Sequence, residues 1–200
     1  MSTDKVRVPK QKRSIEVKNK IKTAALELFS EKGYHNTSTN EIAKKAGVSI
    51  GSLYSYFVDK KAIFIETLHE YNQNVVGQVS VVHLNSETDM PDLISNYIYA
   101  VLEAHKYSPE FHREILAMTY SHEDVREIIS HYEDRMIAQI EELLRLNEER
   151  TDVTDLKSAA YIIFKSVEEV VHGIKVFSRP CNENILVSEL TTMICGYVMK

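Results

Sequence analysis

The tightest constraint on this chain lies between Ser38 and Phe57, where caps, small residues and core formers follow one another at helix-pair spacing. In Ser38-Thr39-Asn40-Glu41 the serine hydroxyl can accept the amide N–H three residues on, while the glutamate reaches back to the serine amide. The helix so begun stops at Gly47, in a turn that favours a residue tolerant of positive φ. Ser49 is the next cap, and a second short helix is expected from there to about Phe57. Ala43 stands where the two helices pass closest, so its side chain has to be small. Ile42, Ala46, Val48, Leu53 and Phe57 supply the apolar set that closes the angle. This pattern predicts a helix-turn-helix spanning residues 38–57.

The rest of the chain also reads as helix. Gly (6) and Pro (4) are scarce, and no segment shows strand-like alternation between turn signals. Val17, Ile21, Ala25, Leu28 and Phe29 form one stripe of a first helix, Ser14 to Glu31, which Gly33 ends in a left-handed cap. Asp59 caps a fourth helix over about 60–83, and polar residues 85–89 interrupt the pattern. A fifth is expected from Pro91 to Tyr107 and a sixth after Ser108-Pro109. A seventh runs from Ser121 to Glu148, an eighth from Thr154 to Phe177, and Asn182 caps a ninth. The expectation is an all-α fold of about nine helices. It comprises a basic mobile arm (1–13), a three-helix domain holding the helix-turn-helix (14–60) and a helical body (61–200).

Charge divides the chain in the same place. Residues 1–61 hold 13 Lys/Arg against 6 Asp/Glu, and residues 62–200 hold 11 against 23, within a total of −5. A basic front on an acidic body suits two different partners. No window approaches the roughly 20 apolar residues of a membrane span. Cys181 and Cys195 have neither metal-ligand nor redox spacing. The expectation is a cytoplasmic protein.

The sequence resembles the TetR family of bacterial regulators over about residues 15–74. The likeness is carried by Ala25-Leu26-Glu27-Leu28-Phe29, Gly33-Tyr34, Glu41-Ile42-Ala43, Ala46-Gly47-Val48-Ser49, Gly51-Ser52-Leu53-Tyr54-Ser55-Tyr56-Phe57 and Asp59-Lys60-Lys61. It implies a DNA-binding regulator, commonly a repressor, whose third helix enters the major groove of an operator. The DNA-contact residues expected on that basis are Thr39, Lys45, Ser49, Ile50, Gly51, Ser52, Tyr54, Ser55, Tyr56 and Lys60. Ser49, Gly51 and Ser52 are small enough for close approach. Tyr54 and Tyr56 offer hydroxyls to phosphates, Lys60 offers a point charge, and Lys44 and Lys45 are lesser candidates. Ile50 departs from the polar residue many relatives carry; it can pack on a thymine methyl but cannot hydrogen-bond a base.

One short recognition helix makes few contacts, and a dimer reading two half-sites remedies this. The resemblance implies that the last two helices pair across a two-fold axis, with Ile163, Val167, Val170, Val171, Ile174, Leu190 and Ile194 at the interface. It also implies a small apolar or aromatic effector in the body that releases the DNA. Its expected lining is Tyr97, Phe111, Met118, Tyr120, Tyr132, Met136 and Phe164. Seven of the eight histidines lie in the body, but none makes a two-histidine, four-residue step, and no glutamate–histidine motif is read beside them. There is no Gly-rich phosphate loop and no nucleophile elbow, so neither metal, cofactor nor catalysis is expected.

Overall fold

The computed structural model describes residues 12–79, 88–106 and 108–199. Among them are nine α-helices and no strand, apart from one isolated bridge between Thr151 and Met199. The helices are α1 (Lys12–Lys32), α2 (Thr39–Ala46), α3 (Ile50–Tyr54), α4 (Lys60–Val79), α5 (Met90–Ala104), α6 (Pro109–Ser121), α7 (Glu123–Leu146), α8 (Leu156–Val171) and α9 (Glu183–Val198). A 3₁₀ turn, Glu148–Arg150, follows α7, and a π-helical segment, His172–Val176, continues α8. The expected arm lies outside the described residues except for its last two, which belong to α1.

The chain forms two units. The first takes in the chain up to Tyr71 together with Glu110–Met118. The boundary expected after residue 60 therefore falls later, because Ile63, Phe64, Leu68 and Tyr71 of α4 are buried in this unit's core. The stripe of α1 does the same with Ile21, Ala25, Leu28 and Phe29. Phe111 brings its ring to 6.3 Å from Phe29, 5.5 Å from Phe64 and 5.7 Å from Tyr71. Each such pair adds about 0.5–1.5 kcal/mol beyond the area buried.

The second unit consists of Asn72–Pro109 and Thr119–Lys200. Here α7 packs on α8, and α5 on α9, around Ile98, Leu102, Ile140, Phe164, Val167 and Leu190. Several helix starts differ from expectation for local reasons. Ser108 sits at φ +56°, a left-handed conformation that rules it out as an extended cap for α6. α7 opens at His122 with no side-chain cap, not at Ser121. Asp155, not Thr154, caps α8 by accepting the amides of Lys157 and Ser158. Asn182 caps α9 as expected, accepting the Ile185 amide at 3.2 Å.

Candidate nucleic-acid interface

The helix-turn-helix begins with the reciprocal cap its sequence encodes. Ser38 Oγ accepts the Glu41 amide at 3.3 Å, and Glu41 Oε2 accepts the Ser38 amide at 2.9 Å. Lys32 pairs with the same carboxylate from α1. These donors, led by Lys32, draw the Glu41 carboxyl from 4.5 down to about 2. Gly47 ends α2 at φ +68°, its N–H reaching the carbonyls of Ala43 and Lys44. Ser49 then caps α3 by accepting the Ser52 amide at 3.1 Å. α3 is shorter than expected, and Tyr56 and Phe57 turn back to the core with their amides on the Leu53 carbonyl.

This turn leaves one outward face. Ile50 is 38% exposed and Tyr54 48% exposed, Gly51 is exposed, and a Cβ built on Gly51 would meet nothing within 4 Å. The Tyr54 hydroxyl lies 3.0 Å from Thr39 Oγ1, joining the far end of α3 to the first residue of α2. Ser49 is exposed and Ser52 half-buried beside them. Ser55 is exposed too, but its hydroxyl donates to the Ser52 carbonyl at 2.6 Å and so points at its own helix.

Two expected contacts are redirected inward, and a third is paired at the surface. Tyr56 is 8% exposed, and its hydroxyl lies 3.0 Å from the buried Ser14 Oγ, so it faces the core and not a phosphate. Leu53 and Phe57 are also buried; α3 ends at Tyr54, and the turn that follows carries Tyr56 inward with them. The Lys60 ammonium donates to the carbonyls of Tyr34 (2.7 Å) and Thr37 (2.8 Å) and sits 4.3 Å over the Tyr34 ring. Burial lowers its pKa. Lys45 is exposed and paired with Glu27 at 3.0 Å and Glu31 at 2.9 Å on α1. Lys44 is exposed.

Residues 21–67 match the family model described as bacterial regulatory proteins, tetR family. Residues 89–197 match the model described as tetracyclin repressor-like, C-terminal domain. The chain belongs to the TetR family. Among its relatives is the HTH-type transcriptional regulator YdgC of Bacillus subtilis, 30% identical over 89 residues, covering 44% of this chain and 46% of YdgC. The biofilm operon HTH-type negative transcriptional regulator IcaR of Staphylococcus aureus is 38% identical over 63 residues, covering 30% of this chain and 34% of IcaR. The chain thus spans less than half the length of these curated relatives. In fold, it is similar to GusR of Salmonella enterica, with a TM-score of 0.75 at 20% identity, covering 94% of this chain and 98% of GusR.

In this TetR family member the expected effector residues are divided between the two units. Phe111 and Met118 are buried in the core of the first unit, while Met136 and Phe164 are buried in that of the second. Tyr120 is 86% exposed. Tyr132 is half-buried. Tyr97 packs against the second unit's core, where burial and the charge of Glu168 hold its phenol protonated.

Most of the expected interface residues face their own chain's core. Ile163, Val167, Val171, Leu190 and Ile194 are buried within their own chain, and Val170 and Ile174 pack against the same core. The apolar side chains left outward on α8 and α9 are Tyr161, Ile162, Ile185, Met193 and Tyr197. Apolar residues on two faces of one helix share a composition, so only the packing tells the inner stripe from the outer.

Proposed function

We propose that this protein is a transcriptional repressor that binds a near-palindromic operator as a homodimer and leaves it when a small apolar or aromatic molecule binds the helical body. The observation that carries the DNA-binding part is the outward face of α2 and α3. Thr39, Ile50, Gly51, Ser52 and Tyr54 share it, and the Thr39–Tyr54 hydrogen bond holds its two ends in register. Hydroxyls, an apolar side chain and bare backbone suit phosphates, a thymine methyl and close approach, respectively. Family membership supports the regulatory role, and the naming of IcaR as a negative regulator favours repression.

Dimerisation is supported by the exposed apolar residues of α8 and α9, which are too many for scattered surface positions. On α9, Ser188, Thr192 and Gly196 share the outward side with Ile185 and Met193, so another helix could approach closely there. No helix among the described residues is long and apolar enough to cross a membrane, which agrees with a cytoplasmic site of action. Release by an effector requires that it bind one conformation of the body better than the other, and the shift cannot exceed that difference in affinity.

The test is a mobility-shift titration of the full chain against the DNA upstream of its own gene. Sequence-specific retardation with two protomers per site is expected, and Ser52→Ala should change affinity at particular base pairs. Binding no tighter than to random duplex of equal length would end this reading. Any small molecule that co-purifies with the protein is then added to the complex, and release of the DNA is the expected result.

A further inference from the structure

The second unit carries a polar cluster at the edge of its apolar core. His105, directly after α5, is 1% exposed. Its Nδ1 lies 2.8 Å from the Val101 carbonyl, which can only accept, so this nitrogen bears the proton and Nε2 presents a lone pair in the neutral ring. Burial disfavours a second proton. Nε2 faces Oε1 of Glu168 at 3.9 Å, and the other oxygen of that carboxylate lies 3.0 Å from Nε2 of His172. The two imidazoles have centroids 5.3 Å apart and offer nitrogens within 4.8 Å of one another. His172 opens the π-helical segment, and such one-turn expansions are frequent at functional sites.

Two imidazoles and a carboxylate are the donor set of zinc-type sites that keep a position open to water. With metal–ligand bonds of about 2.0–2.2 Å, neighbouring donors around a tetrahedral ion stand about 3.3–3.5 Å apart. The separations of 3.0 Å to Oε2 and 3.9 Å to Oε1 lie on either side of that distance, so closing the set around an ion takes a shift of the Glu168 carboxylate and of the imidazoles. A plain Glu168–His172 ion pair accounts for one of these contacts. It gives no reason for a buried second imidazole aimed at the same carboxylate, with its other nitrogen fixed on a backbone carbonyl. That fixing bond is what orients metal-bound histidines.

We propose that His105, Glu168 and His172 bind one divalent transition-metal ion of the zinc class, with water completing the coordination. The ion ties the end of α5 to the junction of α8 and its π-helical continuation. This reverses the expectation of no metal. The expectation of no glutamate–histidine motif overlooks Glu168 and His172, four residues apart, which a histidine 63 positions before Glu168 completes.

The test uses the full chain, stripped with chelator and titrated with Co²⁺, a spectroscopic substitute for Zn²⁺, and then with Zn²⁺. One equivalent of Co²⁺ per chain should give the visible absorption of a low-coordinate ion, bleached by Zn²⁺, and Zn²⁺ should raise the unfolding temperature. Because His105 is buried, Glu168→Gln and His172→Gln are the main variants, with folding checked by circular dichroism. Each should weaken Co²⁺ binding by about 100-fold or more, at least the upper end of what losing an outer-shell partner costs. His131→Gln, at an exposed histidine, should leave it unchanged. Absence of the absorption band, or an undiminished band in either folded variant, would overturn the proposal.

Discussion

Ser14 and Tyr56 share a buried hydrogen bond of 3.0 Å between their hydroxyls, 42 positions apart. The bond fastens the start of α1 to the segment that follows α3, and it explains why one tyrosine of the Tyr54-Ser55-Tyr56 run faces solvent while the other does not. The helix-turn-helix is thereby held from behind by two buried hydroxyls.

Tyr56→Phe should destabilise the protein by about 0.5–1.5 kcal/mol in urea denaturation, with Ser14→Ala costing a similar amount. The double variant should cost less than the sum, since no hydroxyl is then left buried without its partner. Tyr54→Phe, at an exposed site, should leave stability nearly unchanged while weakening operator binding. Strict additivity of the first pair would show that their bond contributes nothing.

Lys60→Met removes the ammonium from the Tyr34 and Thr37 carbonyls, so it should lower unfolding free energy by about 1.5–3 kcal/mol, the worth of a hydrogen bond from a charged donor. Operator binding by the folded variant should keep the wild-type salt slope. A slope reduced by about 1 would return Lys60 to the phosphate backbone.

Glu41 has a folded-state pKa of about 2 against an ordinary 4.5. Its stabilising effect is complete above the ordinary value and is lost as pH falls from there through the folded value. Acid denaturation of the wild type should show this loss between about pH 5 and pH 2, and Glu41→Gln, which keeps an acceptor for the cap, should flatten it. Equal acid sensitivity in the two proteins would assign the loss to other carboxylates.

Met193→Glu and Ile185→Glu place charge on the outward side of α9 and should yield monomers of unchanged helicity in sedimentation experiments, with operator binding lost. Leu190→Ala, in the buried stripe of the same helix, should instead cost about 2–5 kcal/mol of stability. Dimers persisting in the two glutamate variants would place the subunit contact elsewhere.

Local chemistry was legible in the chain. The Ser38–Glu41 capping box, the left-handed Gly33 and Gly47, and the Ser49 and Asn182 caps all form as their residue types require, because each rests on atoms a few positions apart. The direction of Tyr56 and the engagement of Lys60 and Lys45 were not legible. Their partners, Ser14, Tyr34 with Thr37, and Glu27 with Glu31, lie up to 42 positions away, and no periodicity connects them.

Helicity, the positions of most caps and the helix-turn-helix over residues 38–57 are encoded locally, since they follow from sterics and hydrogen bonds within a few turns. Which apolar face of α8 and α9 is core and which is left outside, and that His105 meets Glu168 and His172, emerge with the packing of distant helices. Helix periodicity fixes the angle between two stripes on one helix, but which stripe turns inward depends on packing against helices far away in the chain.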